Sequence, residues 1–430
     1  MILVDSALKQ REEEGRPIRI GMVGAGAMAT GVANLIVNTL PGMRLSAIFN
    51  RNPERALETY AKCGVEDARE TSKLSELEDG ISAGKPMVTG DVNLICEANN
   101  IDVLIDATGA VEFGAQLAMK AFKSKKDVVS MNAELDATVG SVIQHHARKA
   151  GVMYTIADGD QPSVEMNLLR FVKGIGIEPL VCGNIKGLQD HYRNPTTQKA
   201  WAEQWGHSPY MVTSFADGSK ISMEQSCIAN AAGMQVEMRG MRGGDHEGHI
   251  DELCQNDRYD IDRLRELGGV VDYVVKAQPG PGVFVFGTTD DPMHKHHLNL
   301  YKLGNGPLYS FYRPYHLCYF EVPISVGRVV CFRDQVLEAV RPMVDVITTA
   351  KRDLKAGETL DAIGGYTMYG QCENYPVVRA EKLLPQGLAE GCVLTRDVLK
   401  DSVISYDDVI VPKGLLSNQL RAEQDELFQI

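Results

Sequence analysis

The first part of the chain alternates apolar strand patterns with apolar segments of helical spacing. Residues 19–23 are rich in β-formers, and the following TGVANLIVNTL repeats its apolar residues with the period of a helix. Further strands are predicted at RLSAIF, VNLICE, DVLIDATG and DVVSMNAE, with helical spacing over 112–123 and 138–150. Strands that alternate with helices predict an α/β fold with a doubly wound parallel (Rossmann) sheet.

The pattern then changes twice and predicts three regions. An NAD(P)-binding Rossmann domain spans 1–156, and an α/β catalytic, substrate and dimerisation domain spans 157–345, with 310–340 returning to the Rossmann domain. A small β-rich domain with a C-terminal tail spans 346–430, where DLKAGETL and VLKDSVIS repeat one strand–turn–strand motif. Residues 361–366 of this region are expected either to reach the active site or to serve structure and dimer formation.

Composition narrows the possible partners. The 430 residues are 44% hydrophobic and 23% charged, and the net charge of −13 disfavours binding to nucleic acid or anionic membranes. No run of 18 apolar residues predicts a membrane span. The nine cysteines form no C-x-x-C pair and are predicted to be reduced, mostly buried thiols of a cytoplasmic protein. A small-molecule substrate is therefore the expected partner.

A glycine-rich turn joins the first strand to the first long helix. It reads Gly24-Ala25-Gly26-Ala27-Met28-Ala29, a G-x-G-x-x-A motif in the strand–turn–helix context of dinucleotide binding. Gly24 permits the tight turn and Gly26 lets the backbone approach a pyrophosphate. The helix that begins near Ala27 and Met28 offers its free N–H groups to that anion. The alternative is a glycine turn without a ligand.

The end of the second strand predicts which nicotinamide cofactor is bound. NAD-selective domains place an acid there for the ribose hydroxyls, whereas this chain has Asn50 and Arg51. An arginine can bind the 2′-phosphate, which favours NADP(H), although Arg51 as a solvated loop residue is the alternative. Loops after later strands are expected at the same edge of the sheet. Their candidate residues are Thr108, Gly109, Asn132 and Glu134.

Together these motifs resemble the homoserine dehydrogenase superfamily. The family's lysine after the VVSMNAE strand is missing, because Asn132 is followed by alanine and Glu134. The family also carries an acid and a lysine close together on a later helix, and FADGSKISMEQ is the best match. Asp217, Lys220 and Glu224 have the spacing i, i+3, i+7 of one helix face. Lys220 is the first candidate for the general acid/base, with a surface salt-bridge ladder as the alternative.

A closer resemblance is to the DXR-like (DRL) 1-deoxy-D-xylulose 5-phosphate reductoisomerase subgroup, which has a homoserine dehydrogenase-like core and a C-terminal SAF domain. The motifs are GDQPSVEMNLLRF, FADGSKISMEQ, MRGMRG, VVDYVVKAQPGPGVFVFG, FYRPYHLC and AKRDLKAGETLDAIGGYTMYG. The resemblance implies NADPH-dependent isomerisation and reduction of a sugar phosphate with a divalent metal (Mg or Mn). It also implies a homodimer or higher homo-oligomer, and SAF-type folding of 346–430.

That chemistry needs metal ligands and a phosphate site. Glu134, Asp158, Asp160, Glu165 and Asp217 are acids placed to be ligands, but the sequence does not choose among them, and turn chemistry is the alternative for Asp158 and Asp160. Lys186 and Arg313 are candidates for the phosphate, and Ser163 is predicted to cap the helix VEMNLLRFVKGI. Two other clusters, GGDHEGHIDEL and PMHKHHLNL, are predicted to be solvated segments rather than metal sites.

The stretch LYSFYRPYHLCYFE concentrates aromatic residues around an arginine and a histidine. Its outer aromatics are predicted to be core, and LCYFEVPISVGRVV to form a helix returning to the first domain. The central residues, from Arg313 to His316, are predicted to cap the nicotinamide and substrate, with Arg313 offered to an anion and His316 to a hydroxyl. Two other functions stay open. These are homoserine dehydrogenase-like hydride transfer without isomerisation, and cofactor binding without catalysis.

Overall fold

The computed structural model describes residues 4–255 and 257–429, and these form two compact units. Unit 1 contains the chain up to Leu135, Val142–Asp160 and Leu317–Glu338; unit 2 contains Asp136–Ser141, Gln161–His316 and the chain from Ala339. The region from 346 onward, expected to be a domain of its own, thus shares a unit with the catalytic region. Buried hydrogen bonds explain this, since Asn230 Oδ1 accepts from the backbone N–H groups of Met343 (2.6 Å) and Val344 (3.0 Å).

In the first half of the chain, the strands predicted at 19–23, RLSAIF, DVLIDATG and DVVSMNAE and the helical segments 112–123 and 138–150 are present. The strands are β1 Ile18–Val23, β2 Met43–Phe49, β3 Arg69–Glu70, β4 Met87–Thr89, β5 Val103–Asp106, β6 Asp127–Ser130, β7 Tyr154–Ile156, β8 Glu178–Lys186, β9 Val270–Val275, β10 Gly282–Thr288, β11 Leu308–Arg313, β12 Val344–Ala350, β13 Met368–Asn374, β14 Val393–Leu394 and β15 Val409–Ile410. The α-helices are α1 Val4–Glu13, α2 Ala27–Asn38, α3 Pro53–Lys62, α4 Leu74–Ser82, α5 Val92–Glu97, α6 Val111–Lys123, α7 Ala133–Ala150, α8 Gln161–Gly174, α9 Lys199–Trp205, α10 Pro209–Ala216, α11 Ser219–Ala232, α12 Ile261–Glu266, α13 Pro292–Leu300, α14 Val322–Gly327, α15 Tyr375–Ala380 and α16 Leu416–Leu427.

Unit 1 is built on a seven-stranded parallel sheet in the order β3-β4-β2-β1-β5-β6-β7. The order reverses at β1, which pairs with β2 on one side and β5 on the other, as in a Rossmann sheet. Ile20, Met22, Ile48 and Ile105 are fully buried, because strands covered on both faces carry apolar residues at successive positions. The predicted doubly wound parallel sheet is confirmed.

One predicted strand is wrong. VNLICE forms helix α5, and the strand β4 lies just before it. Asp91 explains the difference, because its side chain accepts a hydrogen bond from Asn93 N (2.9 Å) and so caps a helix that begins at Val92. A short apolar run fits either a strand or a buried helix, and the cap decides between them.

The segment Leu317–Glu338 belongs to unit 1. It contains a 3₁₀ turn at Cys318–Phe320, helix α14 and a wider helical turn at Arg328–Phe332. The Tyr319 ring lies against Gly31 of α2. The predicted single helix is therefore three short helical pieces, of which the first two meet at Glu321.

Unit 2 contains a four-stranded mixed sheet in the order β11-β10-β8-β9. Strand β10 is antiparallel to both β8 and β11, whereas β8 is parallel to β9. Helix α8 packs on β8 and β10, and α11 packs on α8. The aromatic stretch begins as the edge strand β11, with Tyr309 buried and Tyr312 exposed. The core prediction for the outer aromatics therefore holds for Tyr309 but is wrong for Tyr312 and Phe320, which are exposed, because β11 is an edge strand and Phe320 lies in a short 3₁₀ turn.

Within unit 2, the C-terminal region is rich in short β-strands and has a separate hydrophobic core around Leu354, Leu384 and Ile404. Its main hairpin pairs β12 with β13 in antiparallel register. Helix α16 is held by Arg421, which is buried and forms an ion pair with Asp345 (Nη1 to Oδ2, 2.6 Å). No helix within residues 4–255 and 257–429 has the length and apolar character that crossing a membrane requires.

Candidate functional site

The carboxyl ends of β1 and β5 form the edge of the unit 1 sheet at which the strand order reverses. Gly24 follows β1 with φ +116°, and a Cβ at this position would lie 2.9 Å from the carbonyl oxygen of Ala107. A residue with a side chain is therefore strained and crowded here, and the turn requires glycine. In a sheet of this topology, a dinucleotide binds at this edge.

Helix α2 begins beside that turn with its first amide groups uncovered by any side chain. Gly26 is its N-cap and makes no side-chain cap, and the first turn holds no acid. A Cβ at Gly26 would meet no protein atom within 4 Å, so the glycine is not needed for internal packing. Ala27 is exposed and Met28 half-buried. A pyrophosphate binds to free backbone N–H groups. The start of α2 offers such groups, and glycine at position 26 leaves room for the anion to approach them.

The loop after β5 is held in place by a buried carboxylate. Asp106 Oδ1 accepts from Thr108 N (3.0 Å) and Thr108 Oγ1 (2.6 Å), and Oδ2 accepts from Ser130 Oγ (3.4 Å). Burial raises the pKa of Asp106 to about 6. Thr108 is thereby fixed at the strand end, and Gly109 next to it is exposed. This loop is where a nicotinamide-contacting backbone is expected.

Asn132 joins two loops of this edge. Its Oδ1 accepts from Leu135 N (3.0 Å) as the cap of α7, and its Nδ2 donates to Ala110 O (3.1 Å). The side chain is fully buried. Both ends of the Asn132 amide therefore position the loop after β5, and the contact of this loop with the cofactor stays a prediction. Glu134, in the first turn of α7, is half-buried.

Arg51 lies just beyond β2 and is exposed. Asn50 Oδ1 accepts from Asn52 N (3.0 Å), and Asn52 caps α3 by accepting from Glu54 N (3.1 Å). These two amides shape the turn that carries Arg51. The geometry leaves the guanidinium at the strand end where a ribose 2′-substituent is recognised in dinucleotide-binding domains.

Unit 2 holds a buried polar cluster between β8, α8 and α11. Lys186 Nζ donates to Glu224 Oε2 (3.0 Å), and Asn184 Nδ2 donates to the same oxygen (3.1 Å). Lys186 and Asn184 are two apart on β8 and share a face of the sheet. Only 11% of the Lys186 side chain and 2% of the Glu224 side chain are exposed. We call this arrangement the Lys186–Glu224 pair.

Gln161, at the start of α8, completes the surroundings of the pair. Oriented by its hydrogen bonds, its amide nitrogen donates to Glu224 Oε1 (2.5 Å) and its oxygen accepts from Lys186 Nζ (3.1 Å). The same oxygen accepts from His316 Nε2 (3.1 Å). The structure thus brings together three sequence-predicted residues, Lys186, Glu224 and His316. Sequence reasoning missed Gln161 and Asn184, since no motif marks an amide that binds a distant carboxylate.

A second carboxylate lies in the same cluster. Glu165 is one helical turn after Gln161 on α8 and has no exposed surface. Its Oε2 accepts from Gln225 Nε2 at 3.0 Å, and its Oε1 has no hydrogen-bond partner among the described residues. Burial raises its pKa well above the ordinary range, and the neighbouring Glu224 adds to this effect.

Asp217 does not lie on the helix predicted for it. It follows α10, Gly218 then adopts φ +95°, and α11 begins at Ser219. Its Oδ2 instead accepts from Lys351 Nζ at 2.9 Å, and Lys351 also donates to the carbonyl oxygens of Arg193 and Gly365 (2.7 Å each). The predicted helix position of Asp217 is wrong, and both of its carboxylate oxygens accept hydrogen bonds inside the protein, since Oδ1 accepts from Ser219 N at 2.9 Å.

The remaining residues predicted from the sequence differ in their burial and contacts. Lys220 is half-buried on α11, one turn before Glu224 and on the same face. The Arg313 guanidinium lies 4.9 Å from the Tyr315 ring centre. Asp160 is half-buried just before α8, and Ser163 lies inside that helix rather than capping it.

Asp158 belongs to unit 1 and has partners there. Its Oδ2 accepts from Ser325 Oγ (2.8 Å), and Oδ1 lies 3.5 Å from Arg328 Nη1. Asp158 is therefore corrected from a candidate metal ligand to a residue that anchors α14. Within the described parts of the chain, no group of three or more His, Cys, Asp or Glu side chains is arranged to hold a metal ion.

Two family models match this chain, one over the region with the glycine turn and one over the region with the Lys186–Glu224 pair. Residues 24–157 match the model of the homoserine dehydrogenase NAD-binding domain, and residues 159–322 match the catalytic domain of oxidoreductase DRL. Homoserine dehydrogenase of Bacillus subtilis is 26% identical over 136 residues, which is 32% of this chain and 28% of the relative. That of Pseudomonas aeruginosa is 25% identical over 138 residues, with the same coverage. The chain thus matches less than a third of the length of these curated relatives.

Among solved structures, a probable dehydrogenase from Thermotoga maritima is similar, and the alignment covers 74% of this chain and 90% of the Thermotoga chain. The identity is 15% and the TM-score 0.42. The family matches cover the glycine turn in one case and the Lys186–Glu224 pair in the other. The chain thus has a region similar to the homoserine dehydrogenase NAD-binding domain, followed by a region similar to the catalytic domain of oxidoreductase DRL.

Proposed function

We propose that this protein catalyses the NADPH-dependent reduction of a small phosphorylated or anionic hydroxy-ketone or sugar derivative, as a reductoisomerase of the 1-deoxy-D-xylulose 5-phosphate type. The observation that carries this proposal is the buried Lys186–Glu224 pair inside the region that matches the DRL catalytic domain. A lysine and a carboxylate held 3.0 Å apart form an acid–base couple, and carbonyl reduction needs such a couple.

The chemistry assigns a role to each residue of the pair. When bound, the dihydronicotinamide supplies a hydride to the carbonyl carbon. Lys186 donates a proton to the carbonyl oxygen. Glu224 holds the Lys186 ammonium in position and balances its positive charge. Gln161 fixes the rotation of both groups, because its amide bonds each of them.

Isomerisation adds one demand that the same pair can meet. A hydroxyl proton must be removed when the carbon skeleton rearranges, and a proton must be returned when the new carbonyl is reduced. A lysine–glutamate couple can take up one proton and release one, so both halves of the reaction use the same groups. The substrate's anionic group is assigned to Arg313, because a guanidinium can form charge-assisted hydrogen bonds with an anion.

Preference for NADP rests on Arg51. Its guanidinium is exposed at the end of β2, and the sequence holds no acid there to accept hydrogen bonds from a ribose 2′-hydroxyl. A guanidinium binds a phosphate through two parallel hydrogen bonds, and an acid in its place would repel it.

A second candidate is hydride transfer to an aldehyde or ketone without isomerisation, as in homoserine dehydrogenase. The observation that favours it is the donor set of the described residues, which offers no group suited to a divalent ion. Isomerisation of a hydroxy-ketone commonly relies on such an ion, whereas simple reduction does not need one. A non-catalytic, cofactor-binding protein is the third possibility.

The test is an NADPH-consumption screen over sugar phosphates and keto acids, with product analysis and with or without a strong chelator. Lys186→Met should lower kcat by about 10²–10⁴-fold. Its matched control is Lys199→Met, since Lys199 is an exposed lysine 3.9 Å from Glu203 and should leave kcat unchanged. A rearranged, reduced product supports the first candidate, and a reduced but unrearranged one supports the second. Tight NADPH binding without turnover of any compound rejects both.

We also propose a homodimer or higher homo-oligomer in the cytoplasm, without nucleic-acid or membrane partners. The net charge of −13 supports the absence of anionic partners. Light scattering of the purified chain measures the oligomeric state, and a monomer at micromolar concentration contradicts it.

A further inference from the structure

Two carboxylates in the buried cluster of unit 2 have opposite surroundings. Glu224 receives hydrogen bonds from Lys186, Asn184 and Gln161, one of which carries a positive charge. Glu165 receives one hydrogen bond, from the neutral amide of Gln225. Both carboxylates are closed to bulk solvent. When two neighbouring acids have such unequal environments, one is ionised and the other keeps its proton.

Unmet acceptors in this cluster point to a proton on Glu165. Glu165 Oε1, Asn184 Oδ1 and Gln225 Oε1 all lack a hydrogen-bond partner among the described residues. All three residues have no exposed surface. Ionised, Glu165 would bury a negative charge with one hydrogen bond and no cation in contact, which is strongly unfavourable. Protonated, Oε1 changes from an unmet acceptor into a donor, and the cluster still contains acceptors that need one.

Charge balance leads to the same assignment. The charged groups that act on Glu165 are one ammonium, Lys186, and one carboxyl group, Glu224. With Glu165 neutral, Lys186 and Glu224 neutralise each other. With Glu165 ionised, two buried carboxylates would compete for the Lys186 ammonium in a site closed to bulk solvent, which is unfavourable.

We propose that Glu165 keeps its proton in the resting protein and acts as a positioning residue that leaves Lys186 paired with Glu224 alone. This inference rests on the proposed function, because its effect is on the proton donor of that reaction. The titratable groups that interact with Glu165 are Glu224 of α11 and Lys186 and Cys182 of β8. Strand β10, which also packs on α8, carries no titratable residue, and β11 meets α8 through Phe311 and Phe171.

The direct test is infrared difference spectroscopy of the full chain at neutral pH, in H₂O and in D₂O. The wild-type protein should show the C=O band of a buried carboxylic acid, with the usual shift in D₂O. That band should be lost in Glu165→Gln, whose neutral amide has the same shape. It should remain in Glu224→Gln, because Glu224 is the ionised member. A wild-type spectrum without the band, or a band lost in Glu224→Gln instead, overturns the proposal.

The positioning role is tested by pH dependence. Because the folded pKa of Glu165 is raised, its stabilising contribution is complete in acid and is lost as the pH rises through that pKa. The melting temperature of wild type should therefore fall in alkali more steeply than that of Glu165→Gln. Ionisation of Glu165 at alkaline pH would disturb the Lys186–Glu224 pair and lower kcat/KM in wild type. Glu165→Gln cannot ionise, so its kcat/KM should begin to fall at a higher pH; a packing role alone would not cause this shift, and coincident alkaline limbs refute positioning. The infrared band needs no substrate, so a chain with the band but no turnover rejects the proposed function and keeps the proton assignment.

Discussion

Replacing Lys351 by methionine separates a structural role of Asp217 from a catalytic one. Lys351 Nζ donates three hydrogen bonds, to Asp217 Oδ2 and to the carbonyl oxygens of Arg193 and Gly365. The Lys351 side chain is 4% exposed and that of Asp217 is 0% exposed. Lys351→Met therefore leaves a buried carboxylate without its cation and two carbonyl oxygens without their donor. Breaking a buried ion pair in this way costs about 3–5 kcal/mol.

That loss is large compared with the stability of a protein. A typical free energy of unfolding is roughly 5–15 kcal/mol, and 1 kcal/mol lowers Tm by about 2–4 °C for a unit of this size. Lys351→Met is thus expected to lower Tm by roughly 6–20 °C, measured by thermal and urea unfolding followed by circular dichroism. Adding Asp217→Asn to Lys351→Met should restore part of the stability, because no unpaired charge then remains buried.

The chain offers a matched control in Lys355, which pairs with Asp397 at 2.7 Å on the surface, with 71% of the Lys355 side chain exposed. Lys355→Met should change the stability by about 0–1 kcal/mol. The reasoning is refuted if Lys351→Met is no less stable than Lys355→Met. It is equally refuted if the Asp217→Asn, Lys351→Met double variant folds stably but has lost turnover, since Asp217 would then act in catalysis.

Three further variants test other parts of the structure. Gly26→Ala should leave Tm unchanged, because its Cβ meets no protein atom, but should weaken NADPH binding by roughly tenfold or more in fluorescence titration, since the methyl group occupies the pyrophosphate's approach. Arg51→Glu should weaken NADPH binding by about 1.5–3 kcal/mol with a smaller effect on NADH, and equal losses for both cofactors would contradict 2′-phosphate recognition. Burial raises the pKa of Asp136 to about 7 from 3.8, so its stabilising contribution is lost as the pH rises through about 7. Asp136→Asn should therefore raise the unfolding free energy at about pH 8, by up to ~4 kcal/mol at 1.36 kcal/mol per pKa unit, and have no stabilising effect at acid pH.

The parallel sheet of unit 1 could be predicted because its signals are local. Strand, turn and helix follow one another within a few residues around Gly24, and the same alternation recurs up to β6. The VNLICE error has a local cause as well: Asp91 caps a helix there, and a six-residue apolar run carries too little periodicity to reveal it.

The candidate site shows where local signals end. Lys186 and Glu224 were both recognised as chemical candidates, yet nothing in the sequence pairs them across 38 positions. Asp217 was placed on a helix by its spacing to Lys220, but Gly218 ends that helix pattern and Lys351, 134 positions away, takes the carboxylate. In both cases the sequence marks a residue as a chemical candidate but does not reveal its distant partner.

The sequence by itself determined the nicotinamide-binding half of this protein, because glycine turns, strand periodicity and a helix terminus act over distances of a few residues. Only the tertiary structure decided which buried charges are paired and which carboxyl keeps its proton. The reason is physical: the state of Glu165, Glu224 and Asp217 depends on which donors the folded chain brings within about 3 Å and on the exclusion of water, and both follow from contacts between distant segments.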